Sequence, residues 1–251
     1  MQRSFYIIVF LLLGCVLTTS VALRSTDEPI PEGESGPKAD SLAKVILKAV
    51  NDSAWQATRY VEWTFPGDHR FLWDKERHFV RVKWGDYRVL FNTKTQQGLG
   101  YRDKVQPITD ASVRKRVVEN AIKMFNNDSF WLCAPNKLFD HGTERKIVET
   151  DESEQPALLV TYHKGGSTPG DSYLWLIDEN GRPEACKMWV SVFSNGGVKF
   201  TWEDWATTAM DAKIARLHIG PSDTIKLQNI RTYQYISGKD PFEAFYPSDD
   251  D

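Results

Sequence analysis

The fold is decided by residues 61–91, which read VEWTFPGDHRFLWDKERHFVRVKWGDYRVLF. Apolar and polar residues alternate within this stretch, which places Val61, Trp63 and Phe65 on one face of a strand. The same period of two recurs in each of the segments that follow. The segments are joined by short polar connections such as Pro66–Asp68, and only antiparallel neighbours can be joined by so few residues. The stretch therefore predicts an antiparallel meander.

Further strands follow in the second half of the chain, where short turns separate apolar segments. Asn180–Gly181 and Asn195–Gly196 supply the positive φ angles that tight hairpin turns need. Strands are predicted at Lys146–Val148, Ala157–His163, Ser172–Ile177, Ala185–Phe193, Val198–Trp205, Lys213–Ile219 and Ile225–Ile236.

Two helices are predicted from apolar residues at helical spacing. The first covers Ser41–Val50 with Asp40 as its cap, and the second covers Ala111–Phe125 with Asp110 or Thr109 as its cap. The predicted fold class is therefore mainly β. We expect an incomplete antiparallel β-barrel of about ten strands in a curved meander, closed by about two α-helices.

The N-terminus has the features of an export signal. Phe5–Leu13 is an unbroken apolar run, long enough for a signal-peptide core and too short to span a bilayer. Cys15 follows a lipobox-like sequence in which its thiol would be acylated, whereas Ser20–Ala22 offers an ordinary cleavage site. We expect residues 1–22 to be a signal segment of a protein exported to the periplasm or anchored at the outer membrane, and both processing routes stay open.

Composition indicates one domain behind this signal. Residues 23–38 are polar and rich in Pro, Gly and Glu, and predict a flexible tether. Residues 39–251 are of a length for a single β-rich domain with a short acidic tail. The net charge is −3 with both signs interspersed, which argues against nucleic acid and against a polybasic membrane patch. We expect a monomer.

No sequence motif supports catalysis or a cofactor. The five histidines show no zinc-ligand spacing, and no nucleophile elbow is present. The glycine-containing loop 164–171 joins two strands and lacks the phosphate-loop sequence. Pro169–Gly170 suits a turn, and Thr168 and Asp171 are the polar groups to test if the loop is functional. We expect neither a metal nor a cofactor.

Two cysteines, Cys133 and Cys186, belong to the predicted domain. An exported protein can join such a pair in a disulfide. Both cysteines, however, have tryptophan and other apolar residues close by in the sequence, which favours two buried, unpaired thiols.

The aromatic content is high, at 12% of residues with nine tryptophans. Aromatic residues at strand positions usually form core, but a single curved sheet with few helices has a concave face that a ligand or a lid would fill. The candidate lining residues are Trp63, Phe65, Trp73, Trp84, Phe91, Trp175, Trp189 and Trp202.

The order of elements resembles the LolA and LolB type of periplasmic lipoprotein carrier, in which a signal, a helix and an antiparallel meander are followed by helices that close an incomplete barrel. The resemblance covers about residues 39–236. Five sequence segments resemble those of an uncharacterised branch of bacterial envelope proteins: Trp63–Phe65, Phe71–Asp74, Phe130–Leu132, Thr168–Trp175 and Lys187–Val190.

The resemblance implies a non-catalytic protein that binds a lipid or a lipoprotein acyl chain in the concavity of a half-open barrel. Arg59 and Arg81 are candidates for the arginine that holds the lid in the carriers. Two alternatives from other classes stay open, a surface interaction module with a filled core and a hydrolase or metal-dependent enzyme. The polar groups of such an enzyme would be His163, Asp171, Asp178 and Glu203.

Overall fold

The computed structural model describes residues 27–164 and 168–246, and the period-two segments form three antiparallel sheets within them. The predicted fold class is confirmed. The structure is mainly β, with 38% of the described residues in strands and 22% in helices, and the sheets form no closed barrel in these residues, in agreement with an incomplete barrel. Within these same ranges, no helix is both long enough and apolar enough to cross a membrane.

The seven-stranded sheet contains the predicted meander. Across the sheet its strands are β16 (Gln228–Tyr233), β2 (Tyr60–Phe65), β3 (His69–Asp74), β4 (Phe79–Trp84), β5 (Tyr87–Asn92), β6 (Gly98–Arg102) and β7 (Gln106–Pro107). Trp63 pairs with Phe71 and Phe71 with Val82. Because side chains alternate between the faces of a strand, this register joins the apolar residues into one continuous inner face.

The other two sheets are built from the second half of the chain and one N-terminal strand. The six-stranded sheet is, in order, β1 (Glu34–Ser35), β8 (Thr143–Val148), β9 (Ala157–Tyr162), β10 (Ser172–Ile177), β11 (Pro183–Trp189) and β12 (Val198–Thr201). The three-stranded sheet is β13 (Glu203–Thr207), β14 (Lys213–Ile219) and β15 (Thr224–Lys226).

Two segments predicted as single strands, Val198–Trp205 and Ile225–Ile236, each divide between two sheets. The break falls at Trp202 in the first and at Leu227 in the second, and both side chains are buried. An apolar residue stands at each break, so no polar turn marks it in the sequence. The prediction of about ten strands is too low, since the described residues form sixteen.

The helices also differ from the prediction. The first, α1 (Pro37–Ala49), begins earlier than expected because Pro37 suits the first helical position. Asp40 does not cap this helix but lies in its first turn, where its carboxylate accepts a hydrogen bond of 2.6 Å from Arg145 Nε. A second helix, α2 (Asp52–Ala57), was not predicted because it has six residues and buries one of them, Trp55.

The long helix α3 (Ala111–Cys133) begins where predicted, since the Asp110 carboxylate accepts hydrogen bonds from two backbone N–H groups of its first turn. It continues two turns beyond the predicted end at Phe125. The apolar pattern is interrupted there by polar residues, one of which, Asp128, is buried and paired with His69 at 2.8 Å. Because a buried position of α3 is occupied by a polar residue, apolar spacing alone did not predict the last two turns of the helix.

The segment predicted as a tether is attached to the domain from Asp27 onward, since the Asp27 carboxylate accepts a hydrogen bond of 3.0 Å from the backbone N–H of Gly196. The Glu28 carboxylate is 2.5 Å from Nζ of Lys187, and the Glu28 carbonyl accepts a hydrogen bond of 2.6 Å from the Trp189 indole. Glu34–Ser35 then pairs as β1 with β8. The predicted signal segment, with Cys15, and the acidic residues 249–251 lie outside the described residues.

Candidate functional site

The inner face of the seven-stranded sheet carries five of the eight predicted lining residues. Trp63 and Phe91 are buried in the main core, and Phe65, Trp73 and Trp84 are partly buried and packed against it. The helix α3 lies against this face and contributes Phe125 to the same core. The concave face is thus covered by a helix, as the resemblance implied.

Phe125 of α3 is surrounded by four rings of the sheet. Its ring centroid lies 5.1 Å from that of Trp73 and 5.8 Å from that of Phe91, both in edge-to-face geometry. The rings of Trp63 and Phe71 are tilted at 6.2 and 6.3 Å. These are favourable distances for aromatic pairs. We call Trp63, Phe71, Trp73, Phe91 and Phe125 the aromatic nest.

The nest contains buried polar atoms without partners. In the described part of the chain, the indole N–H groups of Trp63 and Trp73 have no hydrogen-bond acceptor. A buried donor left unpaired costs about 1–3 kcal/mol. A ligand or a water that offers an acceptor to these N–H groups would remove that cost. The nest therefore has two hydrogen-bond donors within otherwise apolar surroundings.

A second aromatic cluster lies at the far end of α3, around Trp202. Its ring is 5.0 Å from Trp175 and 5.6 Å from Trp131. His218 lies 4.2 Å from Trp202 and is fully buried. Burial lowers the pKa of His218 to about 4, so its imidazole is neutral at physiological pH. The two predicted residues Trp175 and Trp202 are therefore buried in the core at this end, and Trp202 also borders a surface cleft.

Trp189 does not face the concavity, and its assignment as a lining residue is corrected. In β11 the alternation places Cys186 and Met188 in the main core, whereas Trp189 packs with residues of the opposite face of the six-stranded sheet. Its indole N–H is bonded to the segment at Glu28. Assigning a strand with an offset of one residue exchanges its two faces. Sequence alternation alone therefore placed Trp189 on the wrong face of β11.

Two clefts lie at the surface of the described part of the molecule. One, of about 380 Å³, is bordered by the outer face of the seven-stranded sheet and by residues 239–244. The other, of about 440 Å³, lies beside Glu203 and Trp205. Both are lined mainly by charged residues, and none of the nest residues lines either of them.

Neither candidate for a lid-holding arginine contacts α3. Arg59 is bound by Asp74 at 3.4 Å and by Glu76 at 3.1 Å. Arg81 lies on the outer face, 3.9 Å from Glu62. A polar contact between the sheet and α3 is made instead by the pair of His69 and Asp128.

The His69–Asp128 pair lies beside the nest and was not found from the sequence. Asp128 is 2% exposed, and its other oxygen accepts a hydrogen bond of 2.9 Å from Asn127. Burial raises the pKa of Asp128, although the hydrogen bonds from Asn127 and His69 oppose the shift. The pair connects α3 to the β2–β3 hairpin. In the sequence, the only indication of this pair is a polar residue, Asp128, within the helical pattern of α3.

The loop candidates Thr168 and Asp171 form a closed turn. The Asp171 carboxylate accepts hydrogen bonds from the Thr168 hydroxyl, from the backbone N–H of Ser191 at 3.0 Å and from the Tyr173 hydroxyl at 3.4 Å. These contacts occupy the carboxylate and fix the loop to the end of β11. Residues 165–167 of this loop lie outside the described residues.

The polar groups of the enzyme alternative contact different neighbours. His163 is exposed and 3.2 Å from Glu144, while Asp178 accepts backbone N–H groups within its own turn. Glu203 borders the second surface cleft. Within residues 27–164 and 168–246, no group of three His, Cys, Asp or Glu residues could hold a metal ion.

The two cysteines are buried and free, which confirms the prediction of unpaired thiols. Burial raises the pKa of Cys133 to about 11 and that of Cys186 well above its ordinary value. Because the thiolate is the reactive form, both thiols are unreactive at physiological pH.

These features define a mainly β protein with a helix covering an aromatic concave face. No protein-family model matches the chain, and no curated protein matches it. Among solved structures, a DUF1329 family protein from Desulfovibrio piger is similar, with 12% sequence identity over 84% of this chain and 98% of the other, and a TM-score of 0.43. A likeness of this size says nothing about function.

Proposed function

We propose that the chain is a non-catalytic binding protein of the cell envelope that takes a hydrophobic ligand between α3 and the aromatic nest. The ligand would be a lipid or the acyl chain of a lipoprotein. The observation that supports this proposal most directly is Phe125, a single side chain of a covering helix surrounded by four rings of the sheet. An acyl chain would take the place of this ring.

The energetics allow such an exchange. Moving α3 away from the sheet from its N-terminus to Phe125 exposes Val118, Ala121 and Phe125, which are buried now. Each large apolar side chain exposed in this way costs about 1.5–3 kcal/mol. A long acyl chain gains about 0.8 kcal/mol per buried methylene, in total on the order of 10 kcal/mol before ordering costs. The last two turns of α3, after Phe125, can stay in place around Trp131.

The test compares fatty-acid binding by the wild-type protein and by Phe125→Ala. If the ligand competes with Phe125, the variant binds a fluorescent fatty-acid probe more tightly than wild type. The matched control is Phe242→Ala, which removes an equally buried ring on the outer face of the same sheet. If neither wild type nor Phe125→Ala binds the probe, the carrier proposal is wrong.

A second candidate is a surface interaction module with a filled core. It is favoured by the packing of the interior, because Trp63, Phe91 and Trp175 are fully buried among protein side chains. The same experiment distinguishes the two candidates. If the chain is an interaction module, Phe125→Ala should destabilise the protein and should not increase binding of the fatty-acid probe.

A further inference from the structure

The outer face of the seven-stranded sheet has two unlike halves. One half is apolar and is covered by the C-terminal segment 237–246, with Leu72 and Leu90 packed beneath Phe242. The stacked rings of Phe79 and Phe245, 4.6 Å apart, continue this contact. The other half carries cationic side chains, and the rings of the C-terminal segment pack on the apolar half instead.

Three cations stand side by side across adjacent strands of this second half. Arg70 of β3 is directly opposite Lys83 of β4, and Lys83 is directly opposite Arg88 of β5. Arg81 lies on the same face, two residues before Lys83. We call Arg70, Arg81, Lys83 and Arg88 the basic patch. Like charges directly opposite each other destabilise a sheet, so the fold alone does not account for this arrangement.

Counter-charges reach only the edges of the basic patch. Arg70 pairs with Asp68 at 2.7 Å, and Arg81 has Glu62 at 3.9 Å. In the part of the chain that the structure describes, Lys83 and Arg88 form no ion pair. The centre of the patch therefore has an excess of positive charge.

The side chain of Arg88 has an unused hydrogen-bond donor. Its Nε is buried without an acceptor among the described residues, while its guanidinium lies 4.2 Å from the centre of the Tyr101 ring. Burial, and then the charges of Arg81 and Arg88, lower the pKa of Lys83. Both side chains would gain from an anionic acceptor.

The basic patch opens into the first surface cleft, of about 380 Å³. Arg81 and Arg88 line this cleft, and Leu90 gives it an apolar wall. Its two carboxylates are already engaged. Asp240 is held by Arg77 through two contacts of 2.5 and 3.0 Å, and Glu243 is 2.5 Å from Lys239. An anion in the cleft would therefore meet cations whose charge is not balanced.

We propose that this cleft binds a phosphate group, with Arg88 and Arg81, which line it, as its main contacts and Lys83 beside them on the strand next to Arg88. A guanidinium offers two parallel N–H donors to a phosphate, and an ammonium adds a point charge. The bound anion removes the repulsion between the opposed cations. The apolar wall suits an organic phosphate, and this chemistry is shared by soluble phosphate esters and by phospholipid headgroups.

The experiment measures thermal stability in phosphate and in chloride at equal ionic strength. We expect phosphate to raise the melting temperature of wild type, because a ligand that binds only the folded state stabilises it. Arg88→Gln and Arg81→Gln should lose this rise, because both side chains line the cleft, and Lys83→Gln should reduce it. Arg116→Gln, which removes an exposed cation from α3, should keep it. No phosphate-dependent rise in wild type, or an equal loss in Arg116→Gln, overturns the proposal.

A second measurement does not depend on added phosphate. In chloride, Lys83→Gln should melt at a higher temperature than wild type, because it removes the central charge from a row of three cations. Circular dichroism confirms that the variants are folded. A Lys83→Gln protein that is destabilised in chloride contradicts the proposed repulsion.

Two further assays distinguish the source of the phosphate. Glycerol phosphate is titrated into the protein by calorimetry, and vesicles with and without phosphatidylglycerol are tested by co-sedimentation. Binding to phosphatidylglycerol vesicles that requires Arg88 and Arg81 assigns the site to a lipid headgroup. Binding of glycerol phosphate alone, with the same dependence, assigns it to a soluble ester. Absence of both overturns the site.

Discussion

Replacing Arg77 by methionine is the most direct test of the polar network beneath the C-terminal segment. Arg77 Nε donates a hydrogen bond of 2.6 Å to the carboxylate of Asp74, which is fully buried. Its other nitrogens hold Asp240 and the Tyr246 hydroxyl. Methionine preserves most of the side-chain volume but removes every one of these donors, so the Asp74 charge loses its nearest partner.

The expected cost follows from the burial of Asp74. Removing one partner of a buried ion pair leaves an uncompensated charge and typically costs about 3–5 kcal/mol. In a domain of this size each kcal/mol lowers the melting temperature by about 2–4 °C. We therefore expect Arg77→Met to lower the free energy of unfolding by about 3–5 kcal/mol in urea titrations, and to lower the melting temperature by roughly 6–20 °C.

The same pair makes stability depend on pH. Burial of Asp74 opposes its ionisation, but the hydrogen bonds from Arg77 and then Arg59 outweigh burial and hold the pKa of this carboxyl below its ordinary value. Its contribution is therefore present above the unfolded-state pKa and is lost as the pH falls through the lower folded-state pKa. Arg77→Met should weaken this loss in acid, as measured by urea midpoints across pH.

The control is Arg59→Met, since Arg59 is 3.4 Å from Asp74 and also pairs with the exposed Glu76. An ion pair with an exposed partner contributes about 0–1 kcal/mol, so this variant should be mild. The double variant Arg77→Met with Asp74→Asn should recover part of the lost stability, because the unpaired charge is gone. If both single arginine variants cost the same, or the double variant recovers nothing, the reasoning is refuted.

Three further predictions concern other parts of the molecule. Alkylation under denaturing, non-reducing conditions should modify both Cys133 and Cys186, and an intact mass without two added groups would instead indicate a disulfide. Cys15→Ser should release the protein from membranes if Cys15 is acylated, and a soluble wild-type protein that begins near residue 23 would contradict this attachment. Asp128→Ala should lower the free energy of unfolding by about 1–3 kcal/mol because it leaves His69 without its partner. The control Asp128→Asn keeps a hydrogen bond to His69 and should cost less. Equal losses of the two variants in urea titrations would argue against a stabilising hydrogen bond.

The meander could be predicted from the sequence because its signal is local. Alternation over residues 61–91 assigns each side chain to a face, and short turns leave only antiparallel pairing. Strand breaks at Trp202 and Leu227 could not be predicted, since they depend on which sheet the chain joins next. The face of Trp189 was also missed, because its strand is apolar on both sides and its alternation is ambiguous.

The polar sites were hidden for a different reason. His69 and Asp128 are 59 residues apart in the chain, and nothing in either local pattern indicates the other. Arg70, Lys83 and Arg88 could be assigned to one face from alternation, but only the register of three strands shows that they stand in a row. Functional hypotheses built on spacing alone therefore found the aromatic residues and missed the charges.

The attachment of the chain at Asp27 and Glu28 sets how far the domain could stand from a membrane. If Cys15 carries a lipid, eleven residues separate the anchor from Asp27, whose carboxylate accepts a hydrogen bond from the backbone N–H of Gly196. Fully extended, this stretch reaches at most about 40 Å, whereas a tether running to residue 39 would reach about twice as far. An acylated form would be held near the bilayer surface through β11 and the turn that follows it, with one side of the six-stranded sheet turned toward the lipid.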